Sequence, residues 1–312
     1  MKARLIFSRE TYVGRVYKPT LPITPALDKI LFTLSGYHLL TEDLVVSAVG
    51  SPGSASTVKA NIKKLVEASY LYRFPLATIA GRSPFVCVLA DQGMKYLRDE
   101  RGLEIAFYKH PSEWKAMSSN WLMHPLELNK FIIAAHHLPD QSDVRVASFE
   151  HDYLIKSNPL VYLDEKGKAH GVIADAIINF AVPKRRVVWV ELERDSHSKK
   201  AFGEKFTNIY WIIAKGIFEN RYHAELVKVC FVSTVDDEHI AWMRMIARQA
   251  LHDITQGHVN PISYRNRLFH FACVPPLQGE EIKPLGTFIE PYWMHPYDLE
   301  CEKGMRYPLI EL

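Results

Sequence analysis

Two segments decide the fold of this chain, Gly171-Val-Ile-Ala-Asp-Ala-Ile-Ile-Asn-Phe180 and Arg186-Val-Val-Trp-Val-Glu-Leu-Glu193. Both are rich in β-branched and aromatic residues, and Pro183-Lys-Arg-Arg186 between them is a turn, so the pair predicts a β-hairpin. Asp175 lies near the start of the first strand, while Glu191 and Glu193 end the second. Residues i and i+2 of a strand share a face, so these acids can converge on one hard cation. The alternative is ordinary surface charge at strand ends.

The composition is that of a globular protein with one large core or two ordinary ones. The chain has 312 residues, of which 48% are hydrophobic, and a net charge of +3, which permits nucleic-acid binding without requiring it. Cys87, Cys230, Cys273 and Cys301 form no CxxC pair, which argues against a zinc site or a disulfide framework. No apolar run approaches the roughly 20 residues of a membrane span, and no signal peptide is evident. We therefore expect a soluble, cytoplasmic protein without a membrane partner.

The first third of the chain combines helix signals with strand signals. Apolar residues at helical spacing predict three helices, from Pro25 to Leu34, from Thr41 onward, and from Ser54 to Ser69. Two strands follow, at 70–74 and 85–89, and then a helix at 91–98. This order is that of a winged helix-turn-helix, which we expect over residues 20–105. Its third helix would lie in the major groove of double-stranded DNA.

Polar side chains of this first domain predict a DNA-binding face. They lie largely off the apolar stripe of the third helix, and two arginines mark the wing. The candidates are Thr57, Lys59, Asn61, Lys63, Lys64, Arg73 and Arg82. Such side chains suit phosphate contacts, which set affinity rather than sequence preference. A solvated helix face and a protein-contact module are the alternatives.

The rest of the chain predicts an α/β domain with a mixed sheet over residues 118–275. Besides the hairpin, the expected elements are helices at 121–137, 198–214 and 237–254 and strands at 144–150, 226–233 and 268–274. Glu127 lies in helical spacing with His124 and Lys130, either as a further metal ligand or as an ordinary exposed glutamate. The tail, residues 276–312, is rich in proline and aromatic residues. We expect it to pack on this domain; docking of a partner is the alternative.

The order of these parts resembles two groups of proteins. One is the PD-(D/E)XK nuclease-like superfamily, whose core carries an Asp on one strand and a Glu-x-Lys motif on its neighbour. The other is the replication-relaxation family of plasmids and mobile elements, in which a winged helix precedes several short motifs. The matching residues here are His124-Pro-Leu-Glu-Leu-Asn129, Ala174-Asp-Ala176, Glu191-Leu-Glu193 with Arg194-Asp195, and Lys205 with Tyr210. The resemblance covers residues 25 to 235.

This resemblance implies a restriction-endonuclease-like domain that works with a divalent metal. Asp175 and Glu191, with the carbonyl of Leu192, would hold Mg²⁺ or Mn²⁺. Glu127 or Glu193 would complete the shell of ligands.

The chain departs from the family pattern at two positions. Ala174 replaces the proline that precedes the aspartate in the family pattern. That proline only shapes the backbone. Glu193 stands where such a nuclease carries its lysine, which helps to polarise the attacking water and balances charge on the phosphate. Lys205 can supply a migrated ammonium if its side chain points at the hairpin. Otherwise Lys205 and Tyr210 are structural helix residues.

We therefore expect a DNA-binding protein of a plasmid or mobile element that hydrolyses DNA phosphodiester bonds as a metal-dependent endonuclease or nickase. One alternative is a non-catalytic replication or mobilisation accessory factor with a degenerate nuclease fold. Another is a transcriptional regulator whose second domain senses a ligand. Besides double-stranded DNA, the implied partners are replication, mobilisation or transposition proteins.

Overall fold

The computed structural model describes residues 20–50, 55–77, 83–103, 105, 108–181, 185–194, 198–224, 226–256, 267–297 and 306–311. The chain divides into two compact units, Met1–Asn129 and Lys130–Leu312. The division lies inside one helix, whereas the sequence places the start of the second domain at residue 118. Arg82, Pro183 and Cys301 lie outside the described residues.

The first unit begins with helices and continues with a small sheet. Its elements are α1 Pro25–Tyr37, β1 Leu39–Thr41, α2 Glu42–Val49, α3 Ala55–Glu67, β2 Leu71–Pro75, β3 Phe85–Leu89, α4 Asp91–Asp99 and α5 Pro111–Ala116. The described strands pair antiparallel in the order β1-β3-β2. The hydroxyls of Thr24 and Thr41 accept from backbone N–H groups at the starts of α1 and α2, so both helices begin where the sequence predicts. The three-residue strand β1 was not predicted.

One motif residue has a structural role within this first unit. The side-chain amide of Asn129 donates to the carbonyl oxygens of Tyr37, at 3.1 Å, and Leu39, at 2.8 Å. His38 between them has a positive φ of 64°, a conformation that ends α1. Asn129 therefore ties the turn between α1 and β1 to the helix α6 Ser119–His136.

The second unit is built on a mixed sheet. Its elements after α6 are β4 Arg145–His151, α7 Asp152–Ser157, β5 Leu160–Leu163, β6 Ala169–Val172, β7 Ala176–Ala181, β8 Arg186–Glu193, α8 Lys199–Ala214, α9 Ile217–Tyr222, β9 Leu226–Ser233, α10 Asp237–Thr255 and β10 Phe269–Cys273. The described strands form a five-stranded sheet in the order β10-β9-β8-β7-β4, and β5 pairs with β6 in a separate hairpin. The pairs β8–β9 and β9–β10 are parallel, and β4–β7 and β7–β8 are antiparallel. The predicted α/β class with a mixed sheet is confirmed.

The strand β8 lies at the centre of this sheet and is buried along its whole length. Alternate side chains, including Trp189 and Val187, pack with Phe202 and Phe206 of α8 in the hydrophobic core. Because side chains alternate across a strand, Glu191 points to the same face as Trp189. The helix that follows β8 therefore covers the face on which its acids lie.

The first strand of the predicted hairpin is shorter than expected. The sequence predicts one strand from Gly171 to Phe180, but β6 ends at Val172 and β7 begins at Ala176. The residues between them separate two sheets, because β6 pairs with β5 and β7 pairs with β4 and β8. Asp175 consequently lies at the point where the chain enters the large sheet, and not within a continuous strand.

Burial changes one further expectation. Glu127 is only 4% exposed, so its interpretation as an ordinary exposed glutamate is wrong. The reason is that residues 126–135 of α6 are buried on every side of the helix. In the tail, Phe288 and Trp293 are fully buried. Of the helices in the described ranges, none combines the length and apolarity needed to cross a membrane.

Candidate active site and nucleic-acid interface

Strand ends in the second unit bring Asp175 to the acidic end of β8. The backbone N–H of Leu192 donates to Oδ2 of Asp175 at 2.8 Å. The N–H and carbonyl of a strand residue point to the same side of the strand, so the Leu192 carbonyl faces the side on which Asp175 lies. Glu191 and Glu193 flank Leu192 and point to the helix-covered face. The acids predicted from the hairpin are thus neighbours in space.

Lys205 of α8 completes this acidic cluster. Its Nζ lies 2.7 Å from Oε1 of Glu193 and also contacts Oε2 of Glu191. Glu191 and Glu193 have fully or almost fully buried side chains, and the Lys205 side chain is 23% exposed. The condition set by the sequence, that the lysine must point at the hairpin, is therefore met. With all groups ionised, these three carboxylates and one ammonium carry a net charge of −2.

Trp189 is a member of this cluster that the sequence analysis did not identify. Its indole N–H donates to Oε1 of Glu191, two residues along the same strand. The ring is fully buried and packs 5.4 Å from the ring of Phe218, between centroids. The i, i+2 spacing of an indole donor and a carboxylate on one face is the signal that would have identified this contact. The indole fixes the orientation of Glu191.

The electrostatics of the cluster follow from burial and from the charges that face one another. Burial raises the pKa of Glu191 to about 8; the ammonium of Lys205 opposes this shift, and the carboxylate of Asp175 adds to it. For Lys205, burial alone would lower the pKa. The three carboxylates outweigh burial, so the pKa of the ammonium lies above its ordinary value. Lys205 is therefore the cation of this cluster.

The carboxylates available to a divalent cation are few. Within the described ranges, no group of three or more His, Cys, Asp or Glu side chains is arranged to hold a metal ion. Mg²⁺ in proteins is commonly held by only one or two carboxylates, with water and substrate phosphate as its other ligands. Asp175, which is half-buried and next to β8, and Glu191 are the two carboxylates that would serve, although Trp189 and Lys205 already contact the oxygens of Glu191. Glu193 is engaged with Lys205.

Two other residues of the family-like motifs are buried in helices. Glu127 belongs to the first unit, as a buried residue of α6. Tyr210 is 3% exposed and is part of the hydrophobic core under the sheet. Its position matches the alternative of a structural helix residue.

The candidate DNA-binding residues in the first unit lie on α3 and β2. Thr57, Lys59, Lys63, Lys64 and Arg73 are exposed, and Asn61 is partly buried. Arg82 lies outside the described residues. The α3 face therefore presents the polar surface that the sequence predicts.

Acids of the same unit neutralise part of this surface. Lys59 pairs with Asp43 at 2.7 Å, and Lys63 with Glu67 at 3.8 Å. Arg73 pairs with Glu42 at 2.7 Å, and its guanidinium also lies 4.3 Å from the ring centroid of Phe85. Exposed pairs of this kind are weak, so phosphates can displace the acids at small cost.

No protein-family model, curated protein or solved structure matches this chain.

Proposed function

We propose that this chain is a DNA-binding protein whose second unit is a divalent-metal-dependent DNA endonuclease. The observation that carries the proposal is the placement of Lys205. Its ammonium reaches Glu191 and Glu193 at the end of the central strand, beside Asp175. An acid at the entry of one strand, an acid on its neighbour and a lysine beside both are the parts that a PD-(D/E)XK nuclease uses. The usual lysine position holds Glu193, and α8 supplies the ammonium instead.

The topology of both units supports this assignment. In the first, three helices, a two-stranded wing and a closing helix follow the order of a winged helix. In the second, an antiparallel hairpin leads through α8 to a parallel strand, as in a restriction-endonuclease-like core. The resemblance to replication-relaxation proteins makes a plasmid or mobile element the proposed source of the DNA.

Each side chain of the cluster has a separate role in the proposed reaction. Asp175 and Glu191, with the Leu192 carbonyl, would hold Mg²⁺ or Mn²⁺. The bound ion would supply Lewis-acid activation of water and of the phosphate. Trp189 holds Glu191 in place, and Lys205 offsets the negative charge that Glu193 adds where a phosphate must approach. The first unit would hold the duplex through phosphate contacts of α3.

Isosteric variants of the two proposed ligands test this function. Asp175→Asn and Glu191→Gln should each abolish Mg²⁺- or Mn²⁺-dependent nicking of supercoiled plasmid and leave duplex affinity unchanged. Glu204→Gln, an exposed change on α8, is the matched control and should cut normally. Electron paramagnetic resonance measures Mn²⁺ binding. The affinity for Mn²⁺ should decrease in both ligand variants, as nicking does.

One observation favours a second candidate function. Lys205 already pairs with two of the acids, which suits a scaffold that binds no metal. On this alternative the chain is a non-catalytic DNA-binding accessory factor for replication or mobilisation. Duplex binding by the wild type without Mn²⁺ binding and without nicking would select it.

A further inference from the structure

The face of the large sheet opposite the acidic cluster carries basic side chains. Arg186 is the first residue of β8, Lys228 is the third of β9, and His270 is the second of β10. The register pairs Val188 with Lys228 and Cys230 with His270. Since alternate residues share a face, the three basic residues lie on one face. The other face is that of Val187 and Trp189, where α8 packs.

Both cations of this basic cluster are buried and poorly partnered. Arg186 is 5% exposed, and the side chain of Lys228 is 13% exposed. Nη1 of Arg186 donates to the backbone carbonyl of Glu311 at 3.2 Å. Nζ of Lys228 lies 3.7 Å from Oε1 of Glu311, which is too long for a hydrogen bond. Nε of Arg186 is buried and, within the described part of the chain, has no acceptor.

His270 does not supply a third positive charge. It is fully buried, and its Nδ1 lies 3.2 Å from the carbonyl oxygen of Leu268. Burial holds its pKa well below the ordinary value, and the charges of Lys228 and Arg186 lower it further. The three side chains are thus within electrostatic reach of one another, and the cluster contains two cations and a neutral imidazole.

Among the residues that the structure describes, the charge balance of this cluster is incomplete. A buried cation is costly unless a counter-charge and hydrogen-bond acceptors accompany it. Glu311 is the carboxylate that pairs with Lys228, but its side chain is 66% exposed and remains largely hydrated. It gives Arg186 only a backbone oxygen. An oxyanion with several acceptor atoms would satisfy both cations better than Glu311 does.

We propose that Arg186 and Lys228 form a binding site for a phosphate-type oxyanion at the beginning of β8 and β9, and that Glu311 takes the place of this ligand when it is absent. A guanidinium presents a planar fork of donors that matches two oxygens of a phosphate, and an ammonium adds a point charge. The burial of both side chains selects a small or terminal phosphate over the backbone of a duplex.

This site is separate from the acidic cluster. It lies on the opposite face of β8, and five residues, or about 16 Å of strand, separate Arg186 from Glu191. The proposal therefore does not depend on nuclease activity.

Calorimetric titration of the full chain with inorganic phosphate, in a zwitterionic buffer, tests the proposal. The wild type should bind one phosphate. Lys228→Met and Arg186→Met should each weaken binding at least about tenfold, the effect of removing one charge-assisted hydrogen bond. Glu311→Gln should tighten binding, because it removes the competing carboxylate. Lys168→Met, an exposed lysine change of the same charge, is the control and should leave the affinity unchanged.

The variants are chosen so that the protein stays folded. Replacing a buried cation by methionine is often tolerated. Glu311→Gln alters a side chain that is 66% exposed, and such surface changes usually leave stability unchanged. Absence of phosphate binding by both the wild type and Glu311→Gln would overturn the proposal, as would equal weakening by Lys168→Met. A 5′-phosphorylated oligonucleotide that displaces phosphate, beside a 5′-hydroxyl control that does not, would identify a nucleic-acid end as the source. Displacement by neither oligonucleotide would identify free phosphate.

Discussion

Lys205 and Glu193 lie 2.7 Å apart, Nζ to Oε1, although twelve residues separate them in the sequence. The contact forms because α8 begins at Lys199, soon after β8 ends, and runs back across the face on which Glu193 lies. In the proposed nuclease, Glu193 stands at the usual position of the lysine, and the ammonium of Lys205, from the next helix, lies beside it. The pair places one positive charge beside the negative charge of Glu193.

Lys205→Met should destabilise the metal-free protein. It leaves Glu191 and Glu193 buried without their cation, a change that costs about 3 kcal/mol in comparable buried pairs. We expect that decrease in the free energy of unfolding at pH 8, measured by urea denaturation with EDTA present. Lys200→Met, five positions earlier on α8 and with a side chain that is 86% exposed, should change stability by less than about 0.5 kcal/mol. Equal stability of the two variants would show that the ion pairs contribute nothing.

Glu191 should make stability depend on pH. Its pKa is about 8 in the folded chain, against an ordinary value of 4.5. Between these values the folded chain keeps a proton that the unfolded chain has released. The stabilisation is complete below pH 4.5 and is lost as the pH rises to about 8.

Glu191→Gln isolates this pH effect. Relative to the variant, the metal-free wild type should lose on the order of 1 kcal/mol per pH unit within that window. Denaturation curves at pH 5, 6, 7 and 8 measure the difference. If the free energy of unfolding changed with pH equally in the two proteins, Glu191 would already be ionised at pH 5.

Much of the fold was predictable because its signals are local. The apolar run from Val187 to Val190 predicts β8, and the strands 186–193 and 226–233 have the predicted bounds. Thr24, Thr41 and Ser198 cap the helices that they were expected to begin, since a short hydroxyl side chain can accept from the first turn. The resemblance to the replication-relaxation family stays a prediction.

The unpredicted features depend on contacts between distant residues. The break before Ala176 arises because β6 and β7 join different sheets, a choice that no local pattern encodes. The orientation of Lys205 depends on the helix axis over the sheet, and spacing alone could not decide it. The burial of Glu127 depends on what surrounds α6 on every side. Sequence therefore located the acids of the site, and packing decided which of them meet.

Lysine charges on α3 should contribute unequally to duplex binding. Lys64 is exposed and has no ion pair within the described residues, whereas Lys59 is 2.7 Å from Asp43. The free energy needed to break that ion pair offsets part of the free energy that the contact of Lys59 with a phosphate gains. Lys64→Ala should therefore weaken binding more than Lys59→Ala, and removing one lysine–phosphate interaction should flatten the salt dependence of affinity by about one counterion. Fluorescence anisotropy with a labelled duplex at several salt concentrations measures both quantities.

A matched control for the α3 variants is Lys115→Ala, an exposed change outside α3. Its affinity and salt dependence should equal those of the wild type. Failure of the wild type to bind any duplex at low salt would make the first unit a protein-contact module.

Two glycine-to-alanine changes should have opposite effects on stability. At Gly93 in α4, an added Cβ would lie 2.3 Å from the backbone carbonyl oxygen of Tyr70, which also accepts from the N–H of Ala90. Neither backbone can move without breaking that hydrogen bond, so Gly93→Ala should destabilise the protein by about 1–3 kcal/mol. At Gly203 in α8, the nearest atom is Cγ2 of Ile246, at an ordinary 3.4 Å.

Gly203→Ala should therefore stabilise the protein by about 0.4–1 kcal/mol, because alanine lowers the entropy of the unfolded chain and favours a helix. Thermal and urea unfolding of both variants give the comparison, and each serves as the control for the other. The opposite signs exclude a general effect of adding a methyl group to a helix. A neutral Gly93→Ala would mean that α4 shifts away from Tyr70 and that their close approach is not needed for folding.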